Sequence, residues 1–247
     1  MSSFLAWVYP LSVWKELSAL RRAEHMSESE LLRVQESLRE KLLQHAYENV
    51  PYYRRVLIEA EAVNKRGEVD LTKFHRVPCL TKDIIRREFA NLKSNDLAFR
   101  RWYYNTSGGS TGEPVRLIQD EMHKRWLRAV KILNDAWTGY RPGMSKVVLW
   151  GSERDLFIGR VTIRVRLVRW LKNEVWLNAF RMTKAQMREY VEIINQCKPA
   201  QILAYVESIY ELARFIEREN LTVYSPKVIM TSAGTLYPAM RQVIERV

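Results

Sequence analysis

The sequence predicts an α/β fold. An N-terminal helical region over residues 1–100 is followed by a layered, mostly parallel sheet with flanking helices over residues 101–247. Three observations predict it. Through the first third, apolar residues recur at helical spacing. From about Trp102, apolar runs of strand length alternate with helical periods, the pattern of parallel crossovers. Between two of the extended runs stands a single turn dense in glycine and hydroxyl residues.

The elements follow in order. Leu31, Val34, Leu38, Leu42 and Ala46 step by three or four, giving one face of an amphipathic helix over Glu30 to Asn49. It stops before Pro51, because the residue preceding proline disfavours helix, and Tyr52-Tyr53-Arg54-Arg55 follows. A looser connection runs from Asn64 to Asp70. Thr81 is placed to cap a helix over Lys82 to Asn91. Trp102-Tyr103-Tyr104 and Val115-Arg116-Leu117-Ile118 read as strands. A long helix carries Met122, Trp126, Ala129, Val130, Leu133 and Trp137 on one side and ends at Gly139 and Pro142. Val147–Trp150, Val175–Leu177, Ile202–Ala204 and Val228–Met230 read as further strands. Helices are predicted over Phe157–Leu171, from Thr183, over Ile209–Ile216 and from Tyr237. Thr183 with Gln186 makes a capping box, and the buried stripe of that helix is Met187, Tyr190, Val191 and Ile194.

Composition narrows the class. With 47% hydrophobic and 28% charged residues, the chain is globular and not a disordered tail. Forty basic against 28 acidic residues leave +12, which draws anionic partners: phosphates, nucleotides, nucleic acid or acidic lipid. Two cysteines, Cys79 and Cys197, exclude a disulfide framework and a four-cysteine zinc site, and both read as small buried hydrophobes in a reducing, cytoplasmic setting. His25, His45, His75 and His123 are scattered without metal-ligand spacing. No run of 18 apolar residues is present to span a membrane. The apolar start Phe4–Val8 has no preceding Lys or Arg, so it is not a signal peptide. It reads as a segment packed on the domain, or as a peripheral membrane contact using Trp7, Tyr9 and Trp14 with Arg21-Arg22 behind.

The densest chemical signal is Thr106-Ser107-Gly108-Gly109-Ser110-Thr111-Gly112-Glu113-Pro114. It holds three of the nine glycines and four hydroxyls. Glycines let successive backbone N–H groups converge, and Ser and Thr add donors, so such a loop can wrap phosphate oxygens. It is not a Walker A loop, since Glu113 and Pro114 stand where Lys and Ser or Thr belong and a strand, not a helix, follows. Nor has it the dinucleotide glycine spacing. A plain Gly/Ser hairpin is the alternative reading.

Thr106–Pro114 resembles the phosphate loop of the adenylate-forming superfamily, the acyl-CoA synthetases and their relatives. The sequence is more similar to its phenylacetate–CoA ligase-like branch, which includes capsule-biosynthesis ligase-like proteins. The supporting matches occur in order: Gln35 through His45-Ala46, Val50-Pro51-Tyr52-Tyr53-Arg54, Val77-Pro78 with Leu80-Thr81-Lys82, Leu177-Asn178-Ala179-Phe180, Lys198-Pro199, Tyr205 to Leu212, and Thr231-Ser232-Ala233-Gly234 with Leu236, Pro238 and Arg241.

The resemblance implies a two-step reaction. A small-molecule carboxylic acid attacks the α-phosphate of Mg-ATP to give an acyl-adenylate and pyrophosphate, and a thiol, usually coenzyme A, then takes the acyl group. It further implies that Thr106, Ser107, Gly108, Gly109, Ser110, Thr111 and Gly112 cradle phosphates, and that Ser232, Ala233 and Gly234 pack along the adenine. Tyr205 and Ser208 are candidates for the acyl-pocket wall. No catalytic residue and no ligand for Mg2+ is assigned.

Two departures stand out. Many members carry Lys just after the last loop glycine, where this chain has Glu113, and a carboxylate near a triphosphate is repulsive. Glu113 therefore turns outward, or nucleotide affinity is reduced. The family's magnesium-holding Glu motif, ribose-binding Asp, hinge and C-terminal domain with its catalytic Lys have no counterpart here. The period Met240, Val243, Ile244, Val247 also runs to the end without a stop signal, which predicts a large domain incomplete at its C-terminus and without full activity.

The rival class is a basic surface-binding protein for nucleic acid or anionic membrane. Arg100-Arg101-Trp102-Tyr103-Tyr104 and Arg160 to Arg169 mix cations with aromatic or apolar residues. No helix-turn-helix, RNP or zinc pattern accompanies them, so no specific nucleic-acid partner is expected.

Overall fold

The computed structural model describes residues 12–107, 114–151 and 163–247. The chain divides into two compact units at Lys131/Ile132.

The first unit is helical with one hairpin. Helix α1 (Ser12–Ala23) buries Val13 and Leu17. Helix α2 (Glu28–Asn49) starts two residues before the predicted Glu30, because Ser27 and Glu30 form a capping box: Ser27 N donates to Glu30 Oε2 at 2.8 Å and Glu30 N donates to Ser27 Oγ at 3.4 Å. Pro51 ends α2 as predicted, but it also opens α3 (Pro51–Glu59) at the first helical position, where its missing N–H costs nothing. Tyr52–Arg55, to which the sequence assigns no element, is therefore helical. The predicted apolar face of α2 is covered only at its end. Leu43 and Ala46 are buried against Leu57, Ala60, Ala62 and Val63, while Val34, Leu38 and Leu42 are 41%, 59% and 64% exposed. The nine residues of α3 reach only the last turns of the 22-residue α2.

Thr81 caps α4 (Lys82–Arg87) by accepting from Ile84 N at 3.3 Å, as predicted, but the helix stops short of Asn91. The Asn91 carbonyl instead accepts from Tyr52 N at 3.0 Å, tying this segment to α3. Strands β1 (Trp102–Thr106) and β2 (Arg116–Asp120) pair antiparallel, and α5 (Glu121–Trp137) follows. Cys79 is exposed and Cys197 half-buried, which corrects the expectation that both are buried. Cys79 follows Pro78 in a stretch outside any helix or strand, so no element covers it.

The second unit is the α/β layer. Its described strands are β3 (Lys146–Trp150), β4 (Glu174–Asn178), β5 (Gln201–Tyr205) and β6 (Val228–Ser232), all parallel in the order β4-β3-β5-β6. The helices are α6 (Ile163–Leu171), α7 (Lys184–Cys197), α8 (Val206–Arg218) and α9 (Pro238–Arg246). The first part of the helix predicted from Phe157 lies outside the described residues. The α/β expectation holds, and each strand is five residues long, extending the shorter predicted runs. β3 is central, with Val147, Val148 and Leu149 all buried. Met187, Tyr190, Val191 and Ile194 of α7 are buried as read from their spacing, packing with Leu212, Phe215 and Ile216 of α8.

The Thr183 capping box is present: Gln186 N donates to Thr183 Oγ1 at 3.3 Å, and Thr183 N donates to Gln186 Oε1 at 3.2 Å. Thr183→Ala removes the hydroxyl that accepts from Gln186 N, leaving only the Thr183 N–H bonded to Gln186 Oε1. We expect it to lower stability by about 1 kcal/mol, read as an earlier urea midpoint with unchanged slope.

Candidate functional site

In a parallel sheet all strands end on one edge, and ligands of such folds bind there, where successive connections leave in opposite directions. The order β4-β3-β5-β6 places this switch between β3 and β5. From β3 the chain passes to β4 on one side, then crosses back to β5 on the other. Register lines up the last residues of the strands. Asn178 faces Trp150, and Tyr205 faces Ser232. Trp150 and Tyr205 come next to each other because Leu149 pairs with Ala204. Their rings pack at the switch with centroids 4.0 Å apart and planes at 32°.

Each position has a local cause. The segment after β4 is fixed from α7: Tyr190 Oη donates to the Asn178 carbonyl at 3.0 Å, and burial pushes the Tyr190 phenol above its usual range. Asn178 Oδ1 accepts from Phe180 N at 2.7 Å. Helix α8 begins at Val206, three residues before its predicted start, so Tyr205 is at once the end of β5 and the N-cap. Ser208 then falls in the first helical turn, buried, with its hydroxyl donating to the Ala179 carbonyl at 3.4 Å.

Ser232, Ala233 and Gly234 are exposed at the end of β6. Ala233 holds a left-handed conformation (φ 60°), which costs an alanine roughly 1–2 kcal/mol. Strain of this kind concentrates where a turn serves a site. Gly234 makes the close approach: a Cβ there would stand 2.7 Å from Glu207 Oε1. Glu207 sits in the first turn of α8, where the helix dipole favours a carboxylate.

The glycine-rich turn belongs to the first unit. Strands β1 and β2 close it: Ser107 N donates to the Val115 carbonyl at 2.9 Å, and Val115 N donates to Ser107 Oγ at 3.0 Å. Thr106 pairs with Arg116 across the ladder. This is the strand–loop–strand context read from the sequence. Gly108, Gly109, Ser110, Thr111, Gly112 and Glu113 lie outside the described residues. At the base of the turn the Arg116 guanidinium is 4.6 Å from the ring centroids of both Phe89 and Tyr104. Among the described residues it forms no ion pair with a carboxylate, so its charge is held at the start of β2 by two aromatic rings alone. Arg100, by contrast, is occupied by Asp96 at 2.6 Å and Asp120 at 3.0 Å. The Ser94 hydroxyl and then Arg100 hold the Asp96 carboxyl below the usual range. The Arg100-Arg101 patch read as a phosphate contact is thus neutralised at Arg100.

The edge residues Trp150, Asn178 and Glu207, and Arg116 of the hairpin, were not singled out from the sequence. The strand ends were nonetheless readable, and parallel register alone would have put Trp150 and Asn178 in the same row. No group of three or more His, Cys, Asp or Glu side chains able to hold a metal comes together among the described residues, and Glu207 is a lone carboxylate beside the β6 turn. This donor set does not fit Mg2+ by itself. No described helix is long and apolar enough to cross a membrane.

The sequence matches no protein-family model and no curated protein. Among solved structures, the chain is similar to 2-hydroxyisobutyryl-CoA ligase. Against the open conformation in complex with 2-HIB-AMP and CoA, the TM-score is 0.57 at 18% identity over 84% of this chain and 49% of that one. Against the thioesterification state with the same two ligands it is 0.58 at 19% identity, over 90% and 47%. Against the postadenylation state in complex with R3-HIB-AMP it is 0.56 at 19% identity, over 84% and 44%. The chain spans about half the length of these structures. The class defined here is therefore one of fold: the α/β architecture found in an adenylate-forming CoA ligase.

Proposed function

We propose that this chain is the nucleotide-binding portion of an adenylate-forming acid–thiol ligase of the phenylacetate–CoA ligase-like branch. The observation that carries the reading is the carboxyl edge of the parallel sheet, with Trp150 and Tyr205 at the switch and Gly234 closed onto Glu207. In this reading Ser232, Ala233 and Gly234 lie along the adenine. The absence of a side chain at Gly234 lets the Glu207 carboxylate lie against the backbone of this turn. Glu207 repels phosphate and accepts hydrogen bonds from sugar hydroxyls, so the nucleoside end and not the phosphate end belongs at this turn. Trp150 and Tyr205 supply an apolar wall for the carboxylic acid. Tyr205 and Ser208 remain the proposed acyl-pocket positions.

The turn from Thr106 to Gly112 is assigned to the phosphates, gripped through main-chain N–H groups. Arg116 at its base supplies the positive charge that the family places on a loop lysine and that Glu113 lacks. The protein's work in acyl-adenylate formation is then orientation and stabilisation of charge on the phosphates. Transfer of the acyl group to coenzyme A, and the action of the whole ligase, belong to the same proposal. No step is assigned to Mg2+.

Titration with ATP or AMP tests this. Trp150 is at the proposed wall, so nucleotide should change the tryptophan emission of the chain, and the change should vanish in Trp150→Phe. Gly234→Leu should weaken nucleotide binding about tenfold or more, by pushing the Glu207 carboxylate away from the turn while leaving the circular dichroism unaltered. Gly109→Val should abolish the binding contributed by the turn. A nucleotide response unchanged in both glycine variants would overturn the reading, as would no response at millimolar ATP.

A further inference from the structure

Helix α6 (Ile163–Leu171) is built the wrong way round for a surface helix. Its sequence, IRVRLVRWL, holds three arginines and no acidic residue. At 3.6 residues per turn, Ile163, Leu167 and Trp170 fall within an arc of about 60°. A helix on a globular domain turns such an arc to the core. Here the arc points outward, with Ile163 85%, Leu167 49% and Trp170 74% exposed. The helix touches β4 through Arg169, whose guanidinium lies 4.3 Å from the ring centroid of Trp176, while Val165 and Val168 on the other side are 40% and 38% exposed. Arg166 is exposed at the border of the apolar arc.

We propose that α6 docks the protein onto an anionic lipid bilayer, laying Ile163, Leu167 and Trp170 into the interface with Arg166 at the headgroups. Charge complementarity selects the occupant. Three cations in nine residues, in a chain of net charge +12, meet negative lipid favourably. Tryptophan and large aliphatics on one face, with arginine bordering them, are what an interfacial helix requires. A second copy would bring like-charged helices together. A nucleic-acid backbone would use the arginines but leave Ile163 and Trp170 in water. The contact is peripheral, and it rests on α6 alone, independent of the nucleotide reading.

Co-sedimentation of the whole chain with vesicles tests this, using phosphatidylcholine alone and phosphatidylcholine mixed with phosphatidylglycerol in equal parts. The protein should pellet with the mixed vesicles, be released by salt, and stay in solution with phosphatidylcholine alone. Trp170→Glu should weaken binding about tenfold or more. Arg166→Gln should weaken it roughly fivefold, the effect of one basic residue near the surface. Both side chains are exposed, so the folded state survives either change, checked by circular dichroism. Equal binding to both vesicle types overturns the proposal, as does binding indifferent to Trp170→Glu. Binding of single-stranded DNA without vesicle binding, or a dimer abolished by Trp170→Glu without vesicle binding, also overturns it.

Discussion

Replacing Lys146 by alanine should destabilise the sheet by about 3–5 kcal/mol. Lys146 opens the central strand β3 and is 1% exposed. Its ammonium donates to Asp135 Oδ1 at 2.8 Å and lies 4.5 Å from the ring centroid of Tyr140. The Asp135 side chain is itself only 13% exposed. Removing the cation leaves a desolvated carboxylate, and that uncompensated charge, more than the lost attraction, makes the effect large. The neighbourhood offers little relief: Gln201 Nε2 already donates to Thr138 Oγ1 at 2.9 Å, and Thr138 Oγ1 donates to the Asp135 carbonyl at 2.7 Å. Urea unfolding measures the loss. Lys146→Met combined with Asp135→Leu should recover much of it, because two apolar groups leave no buried charge behind. A Lys146→Ala protein that unfolds at the same urea concentration as the parent would show that the pair is not held as described.

Phe215→Ala should cost a similar amount, about 3–5 kcal/mol, for a different reason. Phe215 of α8 is 0% exposed in the cluster formed with Leu212, Ile216, Tyr190 and Ile194. Truncation removes buried apolar area and leaves a void that the close-packed neighbours only partly fill. Leu38→Ala is the control. Leu38 occupies a predicted core position on α2 but is 59% exposed, so its loss should change stability by less than about 0.5 kcal/mol. A domain stable by about 5–15 kcal/mol makes the contrast easy to measure. Equal costs at Phe215 and Leu38 would mean that α2 is covered in solution.

Leu38 and Met187 mark how far the sequence could be read. Both sit on apolar stripes at helical spacing, and periodicity treats them alike. Met187 is buried because α7 packs along the sheet and α8, while Leu38 is exposed because α3 is too short to reach it. Periodicity reports which side of a helix is apolar; whether anything covers that side depends on a segment elsewhere. α6 makes the same point in reverse, with its apolar side turned out. The candidate site divides similarly. Thr106–Gly112 stood out through local composition, and Ser232–Gly234 only through the family resemblance. Glu207 beside Gly234, and Arg116 between Phe89 and Tyr104, are neighbours through folding and carried no local signal.

By itself, the sequence determined the order of strands and helices from Trp102 onward, their parallel crossover pattern, the caps at Thr81 and Thr183, and the strand–loop–strand setting of the glycine-rich turn. These follow from interactions within a few residues: side-chain period, backbone φ limits and capping hydrogen bonds. Tertiary structure alone decided the strand order, and with it the switch that sets Trp150 against Tyr205, the pairing of Lys146 with Asp135, and which apolar faces meet solvent. Those outcomes depend on contacts between segments far apart in the chain, and hydrophobic burial, being non-directional, leaves no mark of its partner in the local pattern.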